Sequence, residues 1–196
     1  TILGAGYGMG SNKFQVQLKT FGTEVSKEEA KHIIQVYRQT YPAIPALWTQ
    51  AQRCLDAMIT HSGASLGRGE VLQFDPEIGF LLPSGLWQRY PGIKKVIDPL
   101  GKAQYEYPTR RGVTKIYGGK IVENICQALA RCIIAEQMVK INKRYKVVLT
   151  VHDAIACVAP KEEAEDAVKY VTECMSWRPD WCKDLPLNCE VGYGES

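Results

Sequence analysis

The stretch KVVLTVHDAIACVAP, residues 146–160, is the most informative part of the chain. Two apolar runs rich in β-branched residues flank the polar pair His152-Asp153, and Lys146 and Pro160 bound them. This pattern predicts two antiparallel strands of about five residues each that turn at the polar pair. The hairpin would carry an imidazole and a carboxylate at its tip, where a metal ion or a phosphate can be held.

Asp153 admits two interpretations from its local sequence, a simple turn former or a functional carboxylate. A His-Asp metal dyad of a helical phosphohydrolase is rejected, because only His32 and His61 remain as further histidines. A serine hydrolase is also disfavoured, since no Gly-x-Ser-x-Gly elbow occurs. Nucleotidyl transfer by two Mg²⁺ ions needs two carboxylates, of which Asp153 would supply one.

Helical patterns surround the predicted hairpin. Ser26 and Glu29 form a capping box that predicts a helix over 26–40, and Pro42 separates it from a second helix over 44–60. The longest helix is predicted over 118–143, and another over 161–177, followed by a strand over 187–193. Residues 61–112 are rich in glycine and predict a β-rich, loop-rich insertion. The fold class is therefore α+β, with an antiparallel β-hairpin backed by helices.

Composition excludes several classes of protein. No run of 18 apolar residues occurs, so no membrane-spanning segment is predicted. The seven cysteines do not form the paired Cys-x-x-Cys motifs of a zinc ribbon, and their number is odd. This usage favours a reducing, intracellular compartment, and Cys126, Cys132 and Cys157 are expected to be buried thiols.

Positive charge concentrates between Gly85 and Lys120. The segment contains eight basic and two acidic residues, although the net charge of the chain is only +3. Five aromatic residues are interleaved with these charges, which is typical of a nucleic-acid surface. The alternative is a solvated loop region that happens to be basic.

The glycine-rich start of the chain, residues 4–10, invites a comparison with nucleotide-binding loops. A dinucleotide fingerprint that begins at Gly4 would need glycine where Met9 stands, and no Gly-Lys-Ser/Thr follows to make a Walker A loop. The segment is then interpreted as a glycine-rich helix end or tight turn, whose glycines would serve positive φ angles or close approach of a ligand.

Taken in order, three segments resemble the C-terminal part of family A DNA polymerases, the bacterial polymerase I group, and most of all their bacteriophage members. Residues 4–10 resemble the end of motif B, the fingers helix that ends in Tyr-Gly. Residues 118–130 are similar to the long helix whose glutamine lies at the primer–template, and residues 150–153 to motif C of the palm. The resemblance covers essentially the whole chain and implies two parts. Residues 1–117 would be a fingers remnant with the basic, loop-rich β insertion, and residues 118–196 a palm part with the long helix, the hairpin and a C-terminal strand.

The resemblance also implies roles for single residues. Asp153 would be a catalytic carboxylate that binds Mg²⁺, and His152 would lie by the primer-terminal phosphate. Gln127 would contact the minor-groove edge of the terminal base pair, and Tyr7 with Gly8 would lie near the templating base. Each has a plainer interpretation, a polar helix residue for Gln127 and a core aromatic for Tyr7. The basic residues expected at DNA or nucleotide phosphates are Lys120, Arg110 and Arg111.

Two residues depart from the family pattern. Ala154 stands where a glutamate usually follows the motif C aspartate, and Leu3 stands at the place of the motif B aromatic, so sugar selectivity can differ. The Arg and Lys of motif B and the Asp of motif A would have to precede Thr1. The resemblance thus implies a C-terminal piece of a DNA polymerase that is inactive alone, with primer–template DNA and dNTP as partners. Its place would be the cytoplasm of a bacterial host, if a phage encodes it. The competing hypothesis is a non-catalytic nucleic-acid-binding module that keeps the palm scaffold.

Overall fold

A computed structural model describes residues 2–99 and 101–194, apart from the side chains of Ile2 and Leu3. The sugar-selectivity question at Leu3 therefore lies outside the described residues. The chain is mixed α+β, as predicted, and divides into two compact units, residues 1–126 and 127–196. The long helix α5, Gly118–Ile141, contributes residues to both units.

The first unit begins with four helices. They are α1 (Ile2–Gly6), α2 (Ser11–Thr20), α3 (Lys27–Thr40) and α4 (Ala43–Thr60). The predicted capping box is confirmed at the start of α3: the Glu29 amide donates to the Ser26 hydroxyl at 3.1 Å, and the Ser26 amide donates to the Glu29 carboxylate at 2.8 Å. Apolar side chains of α1, α2 and α3 form one core cluster around Ala5, Phe14 and Ile34.

Two antiparallel three-stranded sheets follow in the same unit, where the sequence predicts a β-rich insertion. The first sheet comprises β1 (Gln73–Asp75), β2 (Gly79–Leu81) and β3 (Trp87–Gln88). The second comprises β4 (Lys94–Ile97), β5 (Ala103–Thr109) and β6 (Gly112–Ile116). Tyr105 on β5 is buried, and its hydroxyl and the Lys95 ammonium both bond to Asp56 of α4. The second sheet is therefore held against α4.

The second unit contains a hairpin backed by helices. Its elements after α5 are β7 (Lys146–Val151), β8 (Ala154–Val158), a 3₁₀ turn (Lys161–Glu163), α6 (Ala164–Ser176) and a second 3₁₀ turn (Asp180–Cys182). A cluster of buried side chains from α5, from α6 and from the connection between α5 and β7, including Ile141, Val171 and Tyr145, receives one face of the hairpin. The predicted order of long helix, hairpin and amphipathic helix is confirmed.

The strand predicted over 187–193 is wrong, because no strand occurs there. The alternation that suggested it is real, since Leu187, Cys189 and Val191 are half-buried and their neighbours are exposed. Val191 packs on the helical core, and the Cys189 thiol lies 3.8 Å from the Thr172 carbonyl of α6. These contacts give a period-two burial pattern without a neighbouring strand to complete a ladder.

Candidate functional site

The tip of the β7–β8 hairpin is formed by His152 and Asp153, as the sequence predicts. Val151 pairs with Ala154 across the strands, which leaves the two polar residues as a two-residue turn. His152 has φ +54°, a left-handed value, whereas Asp153 has no positive φ. A positive φ at the first central residue alone is the sign pattern of a type II′ turn, which suits the twist of a hairpin. Both side chains are exposed.

A β-bulge at Val148 decides which side chains of β7 face the helices. Val147 pairs with Cys157 and Thr150 with Ile155, and this face packs on the helical core. Between them the register shifts, so that Leu149 and Val151 lie on the opposite face. Leu149 is 58% exposed and Val151 52% exposed. The strands of the hairpin therefore have a half-buried inner face and an apolar, exposed outer face, and the polar residues lie at the tip.

The Asp153 carboxylate is available to a ligand. Within residues 2–99 and 101–194, no hydrogen-bond or ion-pair partner contacts it. The same described ranges contain no group of three or more His, Cys, Asp or Glu side chains that could enclose a metal ion. The tip thus offers one residue with oxygen ligands. This fits Mg²⁺, which is usually bound by one or two carboxylates together with waters and substrate phosphates.

The other predicted site residues occupy distinct places. Gln127 is exposed on α5. Lys120, also on α5, is neutralised in part by Glu123, with 2.8 Å between ammonium and carboxylate. Arg110 and Arg111 are exposed in the turn between β5 and β6, and none of the described residues pairs with either guanidinium. Of these three cations, the two arginines are the freer to meet a phosphate.

The basic segment over 85–120 is formed mainly by the second sheet and its turns, together with β3 and the start of α5, rather than by a loop region. Lys94 pairs with Glu106 at 3.1 Å and Lys95 with Asp56 at 3.3 Å. Together with Lys120, three of the eight cations of the segment are therefore engaged by carboxylates among the described residues. Exposed ion pairs of this kind contribute little stability, but they lower the charge that remains for a polyanion.

Tyr7 and Gly8 lie where α1 ends. The amide of Met9 donates to the Gly4 carbonyl and that of Gly8 to the Ala5 carbonyl, the two bonds of a Schellman motif. Gly8 has φ +85°, which an L side chain adopts only with strain. The residues predicted as a glycine-rich helix end are thus confirmed as one. Tyr7 is half-buried, and burial is the main cause that raises the pKa of its hydroxyl.

Sequence patterns missed a pocket of about 360 Å³ beside this helix end. Arg38, Trp48, Gln52 and Tyr117 contribute its side-chain walls, and Gly8, Gly118 and Gly119 contribute backbone. A Cβ on Gly118 would lie 2.1 Å from the Trp48 carbonyl oxygen, and one on Gly119 would lie 2.6 Å from the Tyr7 carbonyl oxygen. Glycine at both positions therefore lets the start of α5 approach α1 and α4 closely. The sequence signal that could have indicated this pocket is the alternation of aromatic and basic residues before Gly118.

The cysteines are all free thiols, consistent with the sequence pattern. Cys132 is buried as expected, Cys157 is half-buried and Cys126 is exposed, so the expectation of burial is wrong for Cys126. It occupies an outward position of α5 between the buried Ile125 and the exposed Gln127. In the described part of the chain, no helix combines the length and apolar character needed to cross a bilayer.

Comparison with known proteins finds a similarity to a phage DNA polymerase. The chain is 27% identical over 197 residues to a DNA polymerase of Bacillus phage SP02, a match that covers 96% of this chain. It spans 30% of the length of that relative. No protein-family model matches the chain, and no solved structure does. The sequence is thus related to a phage DNA polymerase.

Proposed function

We propose that this chain is part of a template-directed DNA polymerase of the bacteriophage family A type, in which Asp153 binds one or both catalytic Mg²⁺ ions. The observation that supports the proposal most is the exposed, unpartnered carboxylate at the tip of a hairpin. The similarity to a phage DNA polymerase along 96% of the chain supports it independently. Residues 1–117 would then belong to the fingers and residues 118–196 to the palm.

The reaction joins a deoxynucleotide to the 3′-hydroxyl of a primer and releases pyrophosphate. Bound Mg²⁺ would supply activation of that hydroxyl and neutralise charge on the triphosphate. Asp153 would hold the metal at the tip, and His152 beside it would lie by the primer-terminal phosphate. Gln127 would test the minor-groove edge of the terminal pair, which presents acceptors in either orientation of the pair. Tyr7 and Gly8 would lie at the templating base.

Positioning would do most of the remaining work, because phosphoryl chemistry requires little covalent help from protein. Arg110, Arg111 and Lys120 would contact phosphates of the DNA or nucleotide. The two arginines suit this role best, since no described carboxylate pairs with them. Among the described residues Asp153 belongs to no group of three or more possible metal ligands, so a second carboxylate would have to be brought to the tip and we expect the 196 residues alone not to extend a primer.

Mn²⁺ titration tests the metal assignment without requiring turnover. Paramagnetic broadening of backbone amide signals in the purified chain reports which carboxylate binds the ion. With primer–template DNA and dNTP present, we expect the Asp153 and Ala154 signals to broaden first, because substrate phosphates complete the coordination. Asp153→Asn should abolish that broadening.

Asp184 supplies the matched control. It is an exposed aspartate of the same unit without a partner among the described residues, and Asp184→Asn should leave the broadening at the tip unchanged. Equal broadening at Asp184 and Asp153 would show only the weak affinity of any exposed carboxylate and would overturn the assignment. So would primer extension by the isolated chain that survives Asp153→Asn.

A non-catalytic nucleic-acid-binding module is the second candidate. It is favoured by Ala154, which leaves the hairpin tip with one carboxylate. Such a module would bind DNA through its cations with the same affinity in EDTA and in Mn²⁺, and Asp153→Asn would change nothing. The polymerase assignment predicts tighter primer–template binding with Mn²⁺ and dNTP than in EDTA.

A further inference from the structure

Two pockets on the first unit lie next to each other along α3 and α4 and share lining residues. The smaller one, described above, has about 360 Å³, and the larger about 590 Å³. Both are lined by Arg38 and Pro45, so that the two pockets are neighbours. The larger pocket adds Lys31, Gln35 and Gln39 of α3. We call these two pockets together the α3–α4 groove.

The charge of this groove has one sign. Lys31 and Arg38 line it, and neither pocket is lined by an aspartate or glutamate. Both cations are exposed, and no described carboxylate pairs with either of them. The contacts of Arg38 are a 3.4 Å hydrogen bond to the Met9 carbonyl and a position 5.6 Å from the centroid of the Trp48 ring. Unpaired guanidinium and ammonium groups on a groove without carboxylates are complementary to a phosphate backbone.

An aromatic platform lies in the smaller pocket. Tyr117 is 47% exposed, and its hydroxyl donates to the Tyr7 carbonyl at 3.3 Å. The edge of its ring borders the backbone of Gly8 and Gly119. The hydroxyl anchor and these backbone contacts fix the ring, while a large part of it stays open to solvent. A ring held in this way can receive a stacked base without much further loss of side-chain entropy.

We propose that the α3–α4 groove binds an unpaired nucleic-acid strand, with a base stacked on Tyr117 and successive phosphates at Arg38 and Lys31. A single strand fits better than a duplex, because stacking on a side chain needs a base whose face is not covered by a neighbouring base. The identification of this strand as the template ahead of the primer rests on the proposed function. The binding itself needs no metal and no carboxylate at the hairpin.

Fluorescence anisotropy of a labelled 12-mer of thymidylate with the purified 196-residue chain, in EDTA, tests the groove. Tyr117→Leu should weaken binding about tenfold, since it removes one base–aromatic stack. Tyr117→Phe loses the same hydroxyl but keeps the ring, and should bind nearly as the original chain does. This pair separates stacking from damage to the contact with Tyr7.

Arg38→Ala and Lys31→Ala test the phosphate contacts. Each should weaken binding and lower the slope of log affinity against log salt concentration by about 0.7, the value for one phosphate on a single strand. Arg53→Ala on α4 and Lys27→Ala on α3 are matched controls, since both are exposed cations outside the two pockets and should leave affinity and slope unchanged. Circular dichroism confirms that each variant is folded.

Three results would overturn the inference: no binding of the 12-mer, equal losses in the control variants, or unchanged binding of Tyr117→Leu and Arg38→Ala. The inference would also be overturned if a blunt duplex or polyglutamate competed as effectively as the unlabelled 12-mer, because the groove would then bind a different polyanion. The anisotropy assay contains no divalent metal, so its failure would leave the metal assignment of Asp153 unaffected. Failure of the Mn²⁺ titration would likewise leave the proposed strand binding in the α3–α4 groove unaffected.

Discussion

Replacement of Gln137 should destabilise the second unit strongly, although the residue looks like an ordinary polar position of a long helix. Gln137 is 2% exposed, and its side-chain amide donates to the Met175 carbonyl at 2.6 Å and to the Trp177 carbonyl at 3.2 Å. Both acceptors lie at the end of α6, where carbonyl groups have no partner within the helix. One side chain of α5 thus caps another helix.

The cost of Gln137→Leu follows from these two bonds. Each contributes about 1 kcal/mol net, and each carbonyl left without a donor in a partly buried place adds a desolvation cost of similar size. The better apolar packing of leucine offsets a part, so the free energy of unfolding should fall by about 2 to 3 kcal/mol. With a urea m-value of about 2 kcal/mol/M, the unfolding midpoint should fall by more than about 1 M.

Urea titration followed by tryptophan fluorescence, in a chain that carries Trp48→Phe and Trp87→Phe so that Trp177 and Trp181 alone emit, measures the effect in the unit concerned. Arg131→Leu is the control, because Arg131 is an exposed residue of α5 without a partner among the described residues. The control should shift the midpoint by less than about 0.3 M. A loss in Gln137→Leu no larger than in Arg131→Leu would refute the capping role.

Three further predictions concern the first unit. Gly8→Ala should cost about 1 to 2 kcal/mol in thermal unfolding, because φ at Gly8 is +85°, whereas Gly63→Ala, without positive φ or a nearby atom, should cost far less. The Ser26 amide, and secondarily its hydroxyl, lowers the pKa of Glu29, so the stability that this carboxylate contributes is present above its unfolded pKa and is lost as pH falls through the lowered value; Glu29→Gln, which cannot titrate, should flatten that acid-side loss, and an unchanged pH profile would contradict it. Arg110→Ala with Arg111→Ala should reduce the salt slope of duplex DNA binding by about 0.9 for each phosphate that an arginine no longer neutralises, and an unchanged slope would remove both residues from the interface.

The hairpin, the capping box and the helices were predictable because their signals are local. Alternating and β-branched residues on both sides of His152-Asp153 specify two strands and their turn within 13 residues, 146–158. Ser26 and Glu29 satisfy each other three residues apart, so the start of α3 needs no tertiary context. The turn also keeps its carboxylate exposed, as a tip residue should be.

Other features depend on residues far apart in the chain. The pocket beside Gly8 joins Arg38, Trp48 and Tyr117, which belong to different elements of the fold. Gln137 is polar in a helix pattern, and only the position of α6 shows that it is buried. Residues 187–193 show the opposite error, since burial against a helix imitates the alternation of a strand. Periodicity reports which side chains are covered, not what covers them.

The extra residue at Val148 determines on which face of β7 the following side chains lie. Because the bulge interrupts the alternation once, Val147 faces the helices and Val151 faces away, although they are separated by an even number of positions. Deletion of Val148 would restore strict alternation, so that Val147 and Val151, then an odd number of positions apart, would stay on opposite faces as they are now. A relative that lacks one residue at this position can therefore keep the same side chains on each face of the strand next to the turn. An alignment that places the gap elsewhere in this strand would assign inward-facing residues to the outward face and the reverse.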